Sequence, residues 1–195
     1  MGQYYRVLTQ EKGKEAEAFN RDIVVNGKTE YTMAKLMEHS WMENYFVNAI
    51  CHKIYTAATP VQVAWIGDYA EGVNFINGLD GSEIDELYKK CWDGKSKSID
   101  YVEFSMKDKY LVNHTKRQFI DCAWYYQNNN FDGGWCIHPL PLLTCIGNGL
   151  GSGDYNFPTE DSSVELVGSW AWDDIGVVDN PVAGYEEIFP IFKER

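Results

Sequence analysis

Between Gln118 and Phe192 the chain has no lysine and no arginine, yet the same 75 residues carry eleven Asp and Glu. Residues 1–117 hold 17 acids against 15 Lys plus Arg, so nearly all of the formal charge of −12 belongs to that one stretch. Nucleic-acid binders hold phosphates with cations and release counterions, so direct DNA or RNA binding is not expected from this part. An acidic face suits a basic protein partner, a cation, or a site that normally receives nucleic acid. It also suffices, with no partner at all, to keep a protein in solution.

Other absences narrow the class. No apolar run approaches the roughly 18 residues that cross a bilayer, so no membrane span is expected. The opening "MGQYYRVLTQ" lacks the basic and apolar regions of a secretion signal. Arg6 stands where N-myristoylation calls for Ser or Thr after Gly2. The five cysteines, Cys51, Cys91, Cys122, Cys136 and Cys145, are odd in number and form no C-x-x-C, which reads as reduced, buried thiols of a cytoplasmic protein. No low-complexity or linker segment divides the chain, and no period marks a repeat.

What is present is a core. Apolar residues make up 45% of the chain and aromatics 15%, enough to exclude disorder. "QYYRVLT" alternates as a strand, "VVNGKTEY" reads as a hairpin turning at Asn26-Gly27, and "PVQVAWIGDY" as a further strand. Residues 32–58 carry side chains at helical spacing, through Met33, Leu36, Met37, Trp41, Tyr45, Asn48, Cys51 and Tyr55. Thr32 is placed to cap that helix and Pro60 to stop it. "SEID" at 82–85 has capping-box spacing ahead of a short second helix. "KYLVNHTKRQFIDCAW" reads as a hairpin and "YYQNNNFDGG" as loop. "WCIHPLPLLTCI" reads as extended, because of Pro139 and Pro141. "SVELVGSWAWDDIGVV" supplies one or two strands. Together these predict one α+β domain over 1–195, mainly antiparallel sheet with one long and one short helix.

The chemistry-bearing motifs are few. "GNGLGSG" at 147–153 has glycine spacing like a dinucleotide fingerprint, but it leads into "DYNFPTEDSS" and not into a helix, and no Lys-Ser or Lys-Thr completes a P-loop. Two readings stay open for it: a tight connector, or an anion nest that Asp154 would oppose. His39, His52, His114 and His138 have no zinc-ligand spacing, so no metal and no cofactor are expected. No G-x-S-x-G elbow appears. Asp132, Asp154, Asp173, Asp174, Trp135, Trp170 and Trp172 supply carboxylates and aromatics, yet spacing pairs no two of them for glycoside hydrolysis. Asp173-Asp174 inside "GSWAWDDIGV" leaves two outcomes: one carboxylate buried in a network of donors, or both in water.

Six segments, "MGQYY" (1–5), "AKLMEHSW" (34–41), "AWIGDYAE" (64–71), "YLVNHTKRQFID" (110–121), "IHPLPLLTCIGNGLGSGDY" (137–155) and "GSWAWDDIGV" (168–177), resemble a family of uncharacterised proteins of bacteria, phages and microbial eukaryotes. Members often carry Trp where Tyr5 stands and Arg where Asp174 stands. The resemblance implies a self-contained domain and a phage or mobile-element setting, and it supplies no catalytic residues.

The expected function is therefore a non-enzymatic binding protein, a phage-type accessory or anti-defence factor. It would hold a small polar or nucleotide-like ligand, or cover a basic surface of a host protein. Asn113, His114, His138, Asn148, Asp154, Tyr155 and Trp170 are the expected ligand contacts. The alternative is a small hydrolase with His138 or His39 as general base and Asp68 or Asp154 as orienter or metal ligand.

Overall fold

The computed structural model describes residues 1–31, 34–129, 135–156 and 163–193. The chain opens with β1 (Tyr5–Glu11), β2 (Glu17–Val25) and β3 (Lys28–Tyr31). The β2–β3 hairpin turns on the expected Asn26-Gly27 pair, with φ of 50° and 75° at the two residues. Both angles are positive, as a two-residue turn that follows strand twist requires.

The single long helix expected from Thr32 is two helices, α1 (Leu36–His39) and α2 (Tyr45–Tyr55); Thr32 and Met33 lie outside the described residues. The chain breaks at 40–44 because both ends are satisfied locally. The Ser40 hydroxyl donates to the Leu36 carbonyl, and the Asn44 side chain accepts from the amides of Phe46 and Val47. Between them the backbone behaves as a strand: Met42 N donates to Cys136 O, His138 N donates to Ser40 O, and Trp41 bridges Ile137. The expected apolar stripe therefore fails in part, since Asn48 and Cys51 are buried while Tyr45 and Tyr55 are exposed.

Next come β4 (Val61–Gly67), the small hairpin β5 (Phe75–Ile76) and β6 (Leu79–Asp80), then α3 (Gly81–Trp92). The helix α3 starts two residues earlier than its expected box: Asp80, not Ser82, is the cap, and Glu83 returns the bond to its amide. Strand β7 (Lys97–Asp100) precedes β8 (Tyr110–Asn113) and β9 (Gln118–Asp121), which form the expected hairpin. Residues expected as strand end and loop instead fold as α4 (Cys122–Asn128), because Asp121 caps it through the amides of Ala123 and Trp124.

A second correction concerns the prolines. Pro139–Leu143 is helix α5, not extended chain. Proline's missing N–H and fixed φ cost nothing in a first turn, and His138 caps it by accepting from Leu140 N at 3.1 Å. The chain ends with β10 (Cys145–Ile146), a 3-10 turn at Val164–Leu166, β11 (Asp174–Val178) and β12 (Glu186–Glu187). Of the one or two strands expected from 163–178, β11 alone forms.

Among the described residues ten strands make one sheet ordered β12-β9-β8-β11-β4-β1-β2-β3, with β10 added to β4 and β7 to β2. Most pairs are antiparallel; β10–β4, β12–β9 and β2–β7 are parallel. Strands β1 and β4 are apolar on both faces. Val7, Val63 and Trp65 pack with Ile50, Cys51 and Ile54 of α2 and with α5. Leu8, Ala64 and Ile66 pack with Ile84, Leu87 and Cys91 of α3 on the other face. Each fully buried aliphatic side chain contributes about 1.5–3 kcal/mol, so this doubly covered pair of strands is the energetic centre of the fold. All five cysteines are free and buried, and no helix among the described residues is long and apolar enough to cross a membrane.

Candidate functional site

The glycine loop resolves into a connector closed by its own carboxylate. Asp154 Oδ2 accepts from the amides of Gly149 at 2.8 Å and Gly151 at 2.9 Å, and Oδ1 accepts from the Tyr5 hydroxyl at 3.0 Å. The amides that could have cradled an anion already hold one, and it belongs to the chain. Burial, then the neighbouring Cys145 and Asp154, push the Tyr5 phenol well above its ordinary value, so it stays a donor. Asn148 and Tyr155 exchange two bonds, both of 2.9 Å, across the base of the loop. The start of the chain threads alongside: Gln3 N donates to Ser152 O, and Ser152 N to Met1 O. Glycine is demanded here by space. A Cβ on Gly67 would lie 1.7 Å from Gln3 Nε2, and one on Gly151 would lie 2.4 Å from Gln3 Cβ.

The remaining expected ligand contacts are dispersed. Asn113 donates to Asp173 at 2.8 Å and accepts from Lys116 N at 2.9 Å, tying the β8–β9 hairpin to the start of β11. Asp173 is the buried member of its pair and Asp174 the exposed one, so the network outcome holds. His114 sits beside them, its Nδ1 3.1 Å from the Tyr185 hydroxyl, and burial lowers its pKa against the pull of Asp174. His138 and Trp170 are core residues. Of the seven, Asn148, Asp154 and Tyr155 come together as the staple of the loop, and Asn113 and His114 stand side by side at the end of β8.

The same geometry bears on hydrolysis. Burial pushes His138 down to about 3 and His39 down to about 4, so both rings are neutral. His138 uses Nδ1 to cap α5 and sets Nε2 3.6 Å from Cys51 Sγ. Burial raises the Cys51 thiol, so the pair is thiol and imidazole, not an activated thiolate. His39 Nε2 accepts from the Trp65 indole at 2.9 Å. The proposed partners are engaged elsewhere: Asp68 accepts from Tyr4 N and Asp154 holds the loop. Among the described residues no cluster of three or more His, Cys, Asp or Glu is placed to hold a metal.

What the break between α1 and α2 builds is different in kind. Trp41 turns out of the helix and meets Trp135, with ring centroids 4.3 Å apart and planes at 56°. They border an open groove of about 550 Å³ whose other walls include Glu43, Asn44, Tyr45 and Tyr126. That volume falls in the usual range for small-molecule sites, roughly 300–1,000 Å³. Trp135 is 53% exposed and Tyr45 57%, and Tyr45 leans on Tyr101 with centroids 5.1 Å apart.

Glu43 adopts φ of 73°, a left-handed backbone that costs a non-glycine residue about 1–2 kcal/mol. Its Oε1 accepts from the Ser105 hydroxyl at 3.0 Å and lies 3.5 Å from Lys107 Nζ. Lys107 in turn covers the Tyr126 ring at 4.2 Å. Burial pulls the Lys107 ammonium down, but Tyr126 and Glu43 outweigh it and hold its pKa above the ordinary lysine value. A half-buried Trp41 against an exposed Trp135, and a strained acidic residue whose paired cation stands over Tyr126, thus meet at one groove.

Sequence reasoning missed this groove because Trp41 falls in register with the helical stripe. The available signal was Asn44, a strong capping residue two and three positions ahead of Phe46 and Val47. Asp132, the carboxylate nearest Trp135 in sequence, lies outside the described residues. Compared with known proteins, the chain matches no family model, no curated protein and no solved structure.

Proposed function

We propose that this protein is a non-catalytic binding protein that holds a small polar, ring-bearing ligand on the Trp41–Trp135 surface. The observation that carries the reading is the contacting indole pair, left partly in water at a break in an otherwise continuous helical pattern. Large aromatic groups left exposed beside a backbone residue in a costly conformation are features that stability alone does not favour. Catalysis draws less support. Glu43 is the one carboxylate among the described lining residues, and the candidate histidines are buried, neutral and engaged.

A phage-type accessory role is the setting in which such a sequestering protein would act. The basic-partner reading rests on charge: Asp174, Glu186 and Glu187 are exposed on β11 and β12, whereas Asp154 and Asp173 are consumed inside the fold.

The test is native mass spectrometry on gently purified protein, beside the Trp135→Ala variant. Extra mass on the wild-type chain that is released on denaturation, and absent from the variant, is the expected result. Extra mass retained by Trp135→Ala would place the ligand elsewhere. A bare wild-type chain that also shows no tryptophan fluorescence response to small ring compounds would remove the reading.

A further inference from the structure

Resting on that groove reading, we infer that its ligand is a neutral saccharide. With centroids 4.3 Å apart and planes at 56°, Trp41 and Trp135 already touch, so no flat base can slide between them. What they present is a corrugated apolar face. Such a face matches the C–H side of a pyranose ring, whose slightly positive hydrogens meet the negative face of an indole.

Charge narrows the class further. The Glu43 carboxylate lies 3.5 Å from the ammonium of Lys107, which stands over the Tyr126 ring and is not itself a lining residue, so the charge of the wall's carboxylate is largely offset. A wall whose carboxylate charge is offset gives little advantage to either ion, while a neutral polyol finds an acceptor in Glu43 and donors in Asn44. Both Glu43 contacts use Oε1, which leaves Oε2 to accept from a ligand hydroxyl. Asn44 spends its side-chain oxygen on the α2 amides and keeps its Nδ2 donors. Acceptor, donors and an apolar face in one open groove are the complement of a sugar. Glycoside hydrolysis needs two carboxylates flanking the bond, about 5–9.5 Å apart, and Glu43 is the one carboxylate among the described lining residues, so holding a sugar is the chemistry those residues support.

The test follows the indole N–H resonances of the full chain by NMR, with Trp41→Phe and Trp135→Phe used to assign them. The probes are methyl glucoside, N-acetylglucosamine, cellobiose, glucuronate, choline and adenosine. A neutral sugar should shift the Trp41 and Trp135 signals with an affinity that changes little between about 0.02 and 0.5 M salt. Trp135→Ala should weaken it by about tenfold or more, and Glu43→Gln by a smaller factor, with unchanged melting temperatures.

If choline, glucuronate or adenosine shifts those signals while every neutral sugar is silent, the saccharide assignment falls and the groove reading stands. A sugar affinity that collapses with salt overturns the assignment in the same way. If no probe moves either indole, and native mass spectrometry finds a bare chain, both fall together.

Discussion

Residues 137–155 and residues 40–44 are opposites. The first looks like a binding loop in sequence, with glycines, a histidine and a terminal aspartate, and in three dimensions nearly all of its polar capacity is used. Asp154 fills the nest, His138 caps α5, and Asn148 closes on Tyr155. The second reads as the middle of a core helix, and it is where aromatic surface and a costly backbone are left over. The difference teaches that residue type marks the capacity to bind, whereas a site is marked by capacity that folding has not consumed.

The largest test of that contrast is pH. His138 and His39 are held down to about 3 and about 4 by burial, against an ordinary value near 6.5, so on unfolding they take up protons. Their contribution to stability is full above about pH 6.5 and is lost as pH falls towards those folded values. Between about pH 7 and pH 5 each should cost roughly 2 kcal/mol, read as a falling urea midpoint. His138→Asn, which retains a capping acceptor, should remove about half of that slope; an unchanged slope would mean the ring is not buried.

Next in size, Asp154→Ala strips the acceptor from two loop amides and a buried tyrosine, and should cost roughly 3 kcal/mol in denaturant unfolding. A loss below about 1 kcal/mol would show that the loop is not closed by this side chain. Gly151→Ala comes third, at about 2 kcal/mol, because its Cβ would lie 2.4 Å from that of Gln3 and 2.9 Å from the Gln3 backbone nitrogen.

At the open region the sign changes. Glu43→Gly should raise stability by about 1 kcal/mol in the same experiment, relieving the left-handed backbone while removing the groove carboxylate. Smallest of all, Trp135→Ala should move stability by less than about 1 kcal/mol, since half of that side chain already faces water. A large loss there would make Trp135 a packing residue and erase the contrast.

How much of this was legible depended on the range of the interactions involved. Strands β1 and β4, the Asn26-Gly27 hairpin and α3 were readable because alternation, turn chemistry and helical spacing act over a few residues. The α1–α2 break was not, because Met42 pairs with Cys136, some ninety residues away, and that pairing outweighs local helical preference. α5 is hidden because prolines that break a helix interior are tolerated in a first turn, and α4 because Asp121 both ends β9 and caps the helix that follows. The polar clusters were visible as residue types, but their partners were not. Asp154 meets Tyr5 across 149 residues and Asn113 meets Asp173 across 60, and spacing carries no trace of either.

The threading of Gln3 past Gly67, Gly147 and Gly151 also sets a schedule. During synthesis at about 5–20 residues per second, the first strand waits on the order of ten seconds for the glycines that enclose its lead-in. Until then β1 has β2 and β4 beside it but no lock at its end. Completing the fold means closing a loop of about three quarters of the chain, from Gln3 to Gly151, a step that favours slow assembly and a late, all-at-once gain of rigidity.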